Sequence, residues 1–164
     1  MGIVSHEDRY IFIHVPRTGG HSAYRVLGVK SDKGLHKPRF KIEEAYFSFG
    51  FIRNPWDRMY SCYRKKREYS TYSKSFKHYL LDIQDEDIRH SALWYLEGCD
   101  YIGRFEKLQQ EWDWLLKILD KPPAKLPLLN KCGAADYRKH YDNEMIDHIA
   151  HHHADDILFG DYTF

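Results

Sequence analysis

The sequence predicts an α/β fold, with a small central parallel sheet flanked by helices. Three observations carry that reading. Short segments rich in Ile, Phe, Val and Tyr recur at Tyr10–Val15, Tyr46–Ile52 and Asp100–Phe105, and the first lacks the polar alternation of a half-exposed strand, which suits one covered on both faces. Each segment is followed by residues with helical periodicity, the alternation that builds parallel sheets. The first segment also passes through a two-glycine turn directly into its helix.

Taken in order, Tyr10–Val15 is stopped by Pro16. Ala23, Val26 and Leu27 then recur at helical spacing, with Gly28 as the stop signal. "SDKGLHKPR" (Ser31–Arg39) has the composition of a loop, and a short helical piece is expected over Ile42–Tyr46. After the second strand, Asn54 supplies a cap and Pro55 a first helical residue for a helix running to about Tyr69. The middle, Ser70–Gly98, reads as two helical pieces, with Phe76, Tyr79, Leu80 and Ile83 on one face of the first. "EKLQQEWDWLLKIL" is strongly periodic and ends at Lys121, Pro122 and Pro123. Ile146, Ile149 and Ile157 mark a C-terminal helix.

The chain has 164 residues, 43% hydrophobic and 16% aromatic, enough for one compact domain over 1–164. Its 25 Lys and Arg nearly balance 24 Asp and Glu, so anion recognition must be local and a nucleic-acid polymer is not an expected partner. No apolar run is long enough for a membrane span, and the N-terminus is charged where a signal peptide needs an apolar core, so a cytoplasmic location is expected. Cys62, Cys99 and Cys132 share no CxxC spacing and are expected to be ordinary thiols.

The turn Arg17-Thr18-Gly19-Gly20-His21-Ser22 has the makings of a phosphate site. A strand feeding a glycine turn and a helix converges backbone N–H groups on one point, where the helix dipole adds positive character. Gly19 and Gly20 permit close approach, Arg17 adds a cation, and Thr18 and Ser22 offer hydroxyls. An ordinary tight turn is the alternative. The Walker pattern GxxxxGK[ST] is absent, which weakens a kinase or GTPase reading. A second candidate follows the next strand, where Arg53 at its end and Ser61 two turns into the helix can flank one anion. Arg53–Arg67 holds six basic residues against the single acid Asp57. Lys65, Lys66 and Arg67 read as a solvated helix face.

"FIHVPRTGGHS" together with "FIRNPWDRMYSCY" resembles the two cofactor motifs of sulfotransferases that use 3′-phosphoadenosine 5′-phosphosulfate, most closely the carbohydrate-type family 2. The likeness continues through "YIGRFEKLQQEW", "LPLLNK", "DYRKHYDNE" and "DDILFGDYTF". It implies a sulfotransferase fold with a P-loop-like strand–loop–helix. It also implies that Arg17, Thr18, Gly19, Gly20, His21 and Ser22 hold the 5′-phosphosulfate, and that Arg53 and Ser61 hold the 3′-phosphate. Phe105 is implied at the adenine pocket. Asn130 and Lys131 in "LPLLNK" could close on the cofactor or merely connect elements. The chain departs from the family where Arg17 and His21 replace the usual Lys and Thr. Arg keeps the charge without the compact ammonium.

Sulfuryl transfer requires stabilisation of a leaving phosphate oxygen, the role implied for Arg17, and a base for the acceptor hydroxyl. His36 is the candidate base because the family commonly places a histidine in the loop ahead of the 3′-phosphate strand. A solvent-exposed loop histidine is the alternative. His14 reads as a buried structural residue. His148 and His152 have zinc-compatible spacing without an evident third ligand, so no metal is expected. The expected activity is sulfuryl transfer from 3′-phosphoadenosine 5′-phosphosulfate to a glycan or small hydroxylated acceptor. A noncatalytic nucleotide-binding module and an ATP-dependent P-loop enzyme are the alternatives.

Overall fold

A computed structural model of the chain describes residues 2–28, 46–82, 90–127 and 136–164. Four strands among them form one mixed sheet in the order β1-β2-β3-β4: Ile3–Ser5, Tyr10–Ile13, Phe47–Ile52 and Tyr101–Arg104. The three strands read from the sequence are parallel, with Phe12 opposite Phe49 and Phe49 opposite Tyr101. β1 is a correction. It pairs antiparallel with β2 through a tight connection, Ile3 opposite Phe12, and makes the sheet mixed.

Among the described residues the helices are α1 Gly20–Leu27, α2 Pro55–Tyr69, α3 Phe76–Asp82, α4 Ala92–Leu96, α5 Leu108–Ile118, α6 Asn143–His152 and α7 Ala154–Gly160. Short 3-10 turns precede α5 and α6 at Phe105–Lys107 and Tyr137–His140. Asn54 caps α2 as its sequence requires, its Oδ1 accepting from the Trp56 and Asp57 amides. The single C-terminal helix expected from Ile146, Ile149 and Ile157 is two helices broken at His153.

Alternate residues of each strand serve different layers, as the two-residue pleat dictates. Tyr10, Phe12, Phe49 and Phe51 face α1 and α5, packing with Ala23, Leu27, Trp112 and Leu115. Ile11, Ile13 and Ile52 face the larger group of helices and pack with Trp56, Met59, Tyr95 and Ile149. All four residues of β2 are buried, which accounts for its unbroken apolar run.

A buried polar cluster ties the second layer together. Asp156, fully buried, accepts hydrogen bonds from the Ala92 and Leu93 amides at 2.7 and 2.8 Å, holding the start of α4. Arg58, also fully buried, donates Nη2 to the His90 carbonyl at 2.6 Å. Burial pushes the Asp156 carboxyl up, but His153, the Arg58 charge and the two amides outweigh it and leave the pKa below the usual value. Burial, assisted by Arg58 and opposed by Asp156, holds His153 below its usual 6.5.

These shifts fix the sign of the acid response. A histidine with a depressed folded pKa contributes stability that is intact above 6.5 and lost as pH falls below it. Burial also depresses His21 and His148, so they add to the loss in the same window. The Asp156 contribution is lost only at more acidic pH, below 3.8. Urea denaturation from pH 8 to 5 should give a flat midpoint above pH 7 and a fall below 6.5. A His153→Gln chain should lose part of that slope.

Candidate functional site

The turn between β2 and α1 is shaped by two unusual backbone residues. Arg17 has φ 69° and Gly19 has φ 86°, both left-handed. For Gly19 that conformation costs little. For Arg17 it costs about 1–2 kcal/mol, so surrounding contacts must hold it. They do: Arg53 donates Nη1 to the Arg17 carbonyl at 3.0 Å, and Arg17 donates Nε to Ser61 Oγ at 2.9 Å.

The ends of β2 and β3 therefore meet. Arg17, Arg53 and Ser61, separated by up to 44 positions, form one constellation. Arg53 also pairs with Asp57 one turn into α2, through Nη2 at 2.7 Å and Nε at 2.8 Å. Its guanidinium lies 4.3 Å from the centre of the Phe105 ring, and that ring in turn lies beside Gly19. The ring of Phe105, the residue implied at the adenine pocket, thus supports the Arg53 guanidinium in this structure.

The glycines are required by close approach. A Cβ on Gly20 would stand 2.0 and 2.3 Å from the His14 ring, and one on Gly19 would stand 2.6 Å from Leu108. His14 is buried, with Phe12, His21 and Tyr24 around it. Gly20→Ala should therefore cost about 1–3 kcal/mol in chemical denaturation, the scale of an overpacked core. Adding His14→Ala should restore part of it.

The two hydroxyls expected to meet phosphate have other partners. Thr18, fully buried, donates Oγ1 to the Val15 carbonyl at 2.9 Å, closing the turn on itself. Ser22 donates Oγ to the Pro127 carbonyl at 2.6 Å. Each hydroxyl has one hydrogen, so neither supplies a donor to the mouth of the turn in this arrangement. Besides the Arg17 guanidinium, what the turn offers an anion is backbone: the first N–H groups of α1 have no preceding helical carbonyl.

His21 is exposed at this mouth. Partial burial first, then the charges of Lys65 and Arg17, hold its pKa below the usual value. By composition Lys65 belongs to a solvated helix face. It stands four residues beyond Ser61, and that i, i+4 relation was the available signal. His36, the candidate base, and Asn130 and Lys131 lie outside the described residues.

A cavity of about 720 Å³ runs along α5, lined by Gln109, Leu116, Lys117, Lys121 and Leu126. Sequence reading gave no hint of it, because the extended segment 121–126 forms one wall. Among the described residues, no three His, Cys, Asp or Glu side chains are grouped to hold a metal, and no helix is long and apolar enough to cross a membrane.

Comparison with known proteins adds one finding. Residues 2–125, about three quarters of the chain, match the model of a family described as the Sulfotransferase family. That span contains β1 through the segment following α5. No curated protein and no solved structure matches.

Proposed function

The chain belongs to the sulfotransferase family, and from that premise we propose that it moves a sulfuryl group from 3′-phosphoadenosine 5′-phosphosulfate to the hydroxyl of a glycan or small hydroxylated acceptor. The observation that supports this most is the convergence of two strand ends, with Arg17 on Ser61 and Arg53 on the Arg17 carbonyl. One nucleotide bearing phosphate at both ends can span them.

In this reading the Arg17 guanidinium and the amides of Gly19, Gly20 and His21 take the 5′-phosphosulfate. Arg53 and Ser61 take the 3′-phosphate, Phe105 supports the base or the Arg53 that neighbours it, Thr18 closes the turn and Ser22 ties it to the Pro127 carbonyl. The donor supplies an activated sulfuryl group when bound. Arg17 offsets charge developing on the departing phosphate, and His36 accepts the acceptor's proton. Labelled-sulfate transfer to glycans and phenols should fall by about 10²–10⁴ in His36→Ala. Undiminished transfer removes His36 as the base.

Binding is tested by thermal melts. Adenosine 3′,5′-bisphosphate without metal should stabilise the chain by about 2.7 kcal/mol at a hundred times its dissociation constant. Stabilisation by ATP with magnesium in preference would favour a P-loop ATP enzyme instead. Bisphosphate binding without transfer to any acceptor would favour a noncatalytic binding module.

A further inference from the structure

One ridge of α2 forms an edge of the candidate site. Asp57, Ser61, Lys65 and Tyr69 follow one another at four-residue spacing, so they lie along one face of the helix. Their partners are ordered in the same way. Asp57 holds Arg53, Ser61 holds Arg17, and Lys65 places Nζ 3.2 Å over the ring of Tyr69. Among the described residues no carboxylate pairs with Lys65. Its ammonium rests on an aromatic side chain that is itself 65% exposed.

We propose that Lys65 leaves the Tyr69 ring to contact the transferring sulfuryl group of a donor held at the Arg17 turn. The inference rests on the donor reading above and adds a residue to it. Moving along the ridge from Asp57, the order is the 3′-phosphate side at Arg53, then Arg17, then Lys65. Lys65 is thus one turn beyond the residue that holds Arg17, on the side away from Asp57 and Arg53, and in this proposal the sulfuryl group departs on that side.

Chemistry gives a reason for a second cation there. Arg17 is fixed by its Nε bond to Ser61 and by its strained backbone, and a planar guanidinium is poorly suited to follow charge that shifts between oxygens. A lysine ammonium is compact and rotates freely. During transfer the bond from sulfur to the bridging oxygen breaks, leaving its electron pair on the nucleotide phosphate. A new bond forms from the acceptor oxygen to sulfur, and the acceptor's proton goes to the base. Lys65 keeps its proton and offsets charge on the moving group.

The field of Lys65 does reach the first turn of α1. It is one of the two charges that, after burial, depress His21, the other being Arg17. The rings of His14 and Tyr24 complete the surroundings of that imidazole.

Two ligands that differ only in the sulfuryl group isolate the role. Calorimetric titration with 3′-phosphoadenosine 5′-phosphosulfate and with adenosine 3′,5′-bisphosphate should be run on the native chain, Lys65→Met and Lys65→Arg. Expected is a loss of about tenfold for the phosphosulfate in Lys65→Met, a loss below about twofold for the bisphosphate, and only partial recovery in Lys65→Arg, which restores the charge without the compact ammonium. In the unliganded Lys65→Met chain the NMR titration midpoint of His21 should also rise, which shows that the fold and the ammonium's position are as described. Equal losses for both ligands, or no loss for either, would overturn the role of Lys65 while leaving the nucleotide reading intact. Failure of the native chain to bind either nucleotide would overturn both.

Discussion

Arg53→Met should weaken adenosine 3′,5′-bisphosphate binding by about 100-fold, roughly 3 kcal/mol, while changing adenosine 5′-phosphate binding less than about threefold. Arg53 is 14% exposed at its side chain, so a phosphate meeting it is largely shielded from water. In the unliganded chain the guanidinium is already oriented by Asp57, the Arg17 carbonyl and the Phe105 ring. Little ordering remains to be done when an anion arrives. Removing the guanidinium leaves the 3′-phosphate facing Ser61 without its cation, while the 5′ turn loses one hydrogen bond to the Arg17 carbonyl and keeps the Arg17 bond to Ser61. Calorimetry with the two nucleotides reads the difference directly. An equal loss for both would mean that Arg53 acts only by propping the Arg17 turn.

The largest effect on stability is expected at Asp156. Asp156→Ala should cost about 3–5 kcal/mol, measured by urea denaturation, because it strips a compensating charge from buried Arg58. It also frees the Ala92 and Leu93 amides at the start of α4. For a chain of this length that corresponds to a fall of about 10 °C in Tm. Asp156→Asn should lose less, since the amide oxygen can still accept from one of those N–H groups. If the alanine chain unfolds within about 1 kcal/mol of the native one, Arg58 is neutralised by some other group.

The contrast between these two sites shows what the sequence makes legible. The placement of Arg53, Asn54 and Ser61 could be read because its signals are local: a strand end, an Asn-Pro helix start and a hydroxyl two turns on. The same holds for the Gly19–Gly20 turn and for the three parallel strands. β1 was missed because Ile3–Ser5 is too short to show a period, and it exists by pairing with β2. The break at His153 has no glycine or proline to announce it. Asp156 reads as an ordinary acid in a helix's first turn, and only packing against α2 and α4 buries it. Thr18 and Ser22 carry the right groups for phosphate, but the Val15 and Pro127 carbonyls that claim their hydrogens are set by tertiary geometry. Lys65 lay within a run of basic residues, and only the contact of Ser61 with Arg17 shows which side of that run faces the turn.

A crystal structure of the chain with adenosine 3′,5′-bisphosphate tests the central claim most directly. The expected result places the 5′-phosphate on the amides of Gly19, Gly20 and His21 beside Arg17, and the 3′-phosphate on Arg53 and Ser61. A bisphosphate lodged in the cavity along α5, or one that touches the Arg17 turn while leaving Arg53 paired only to Asp57, would contradict it.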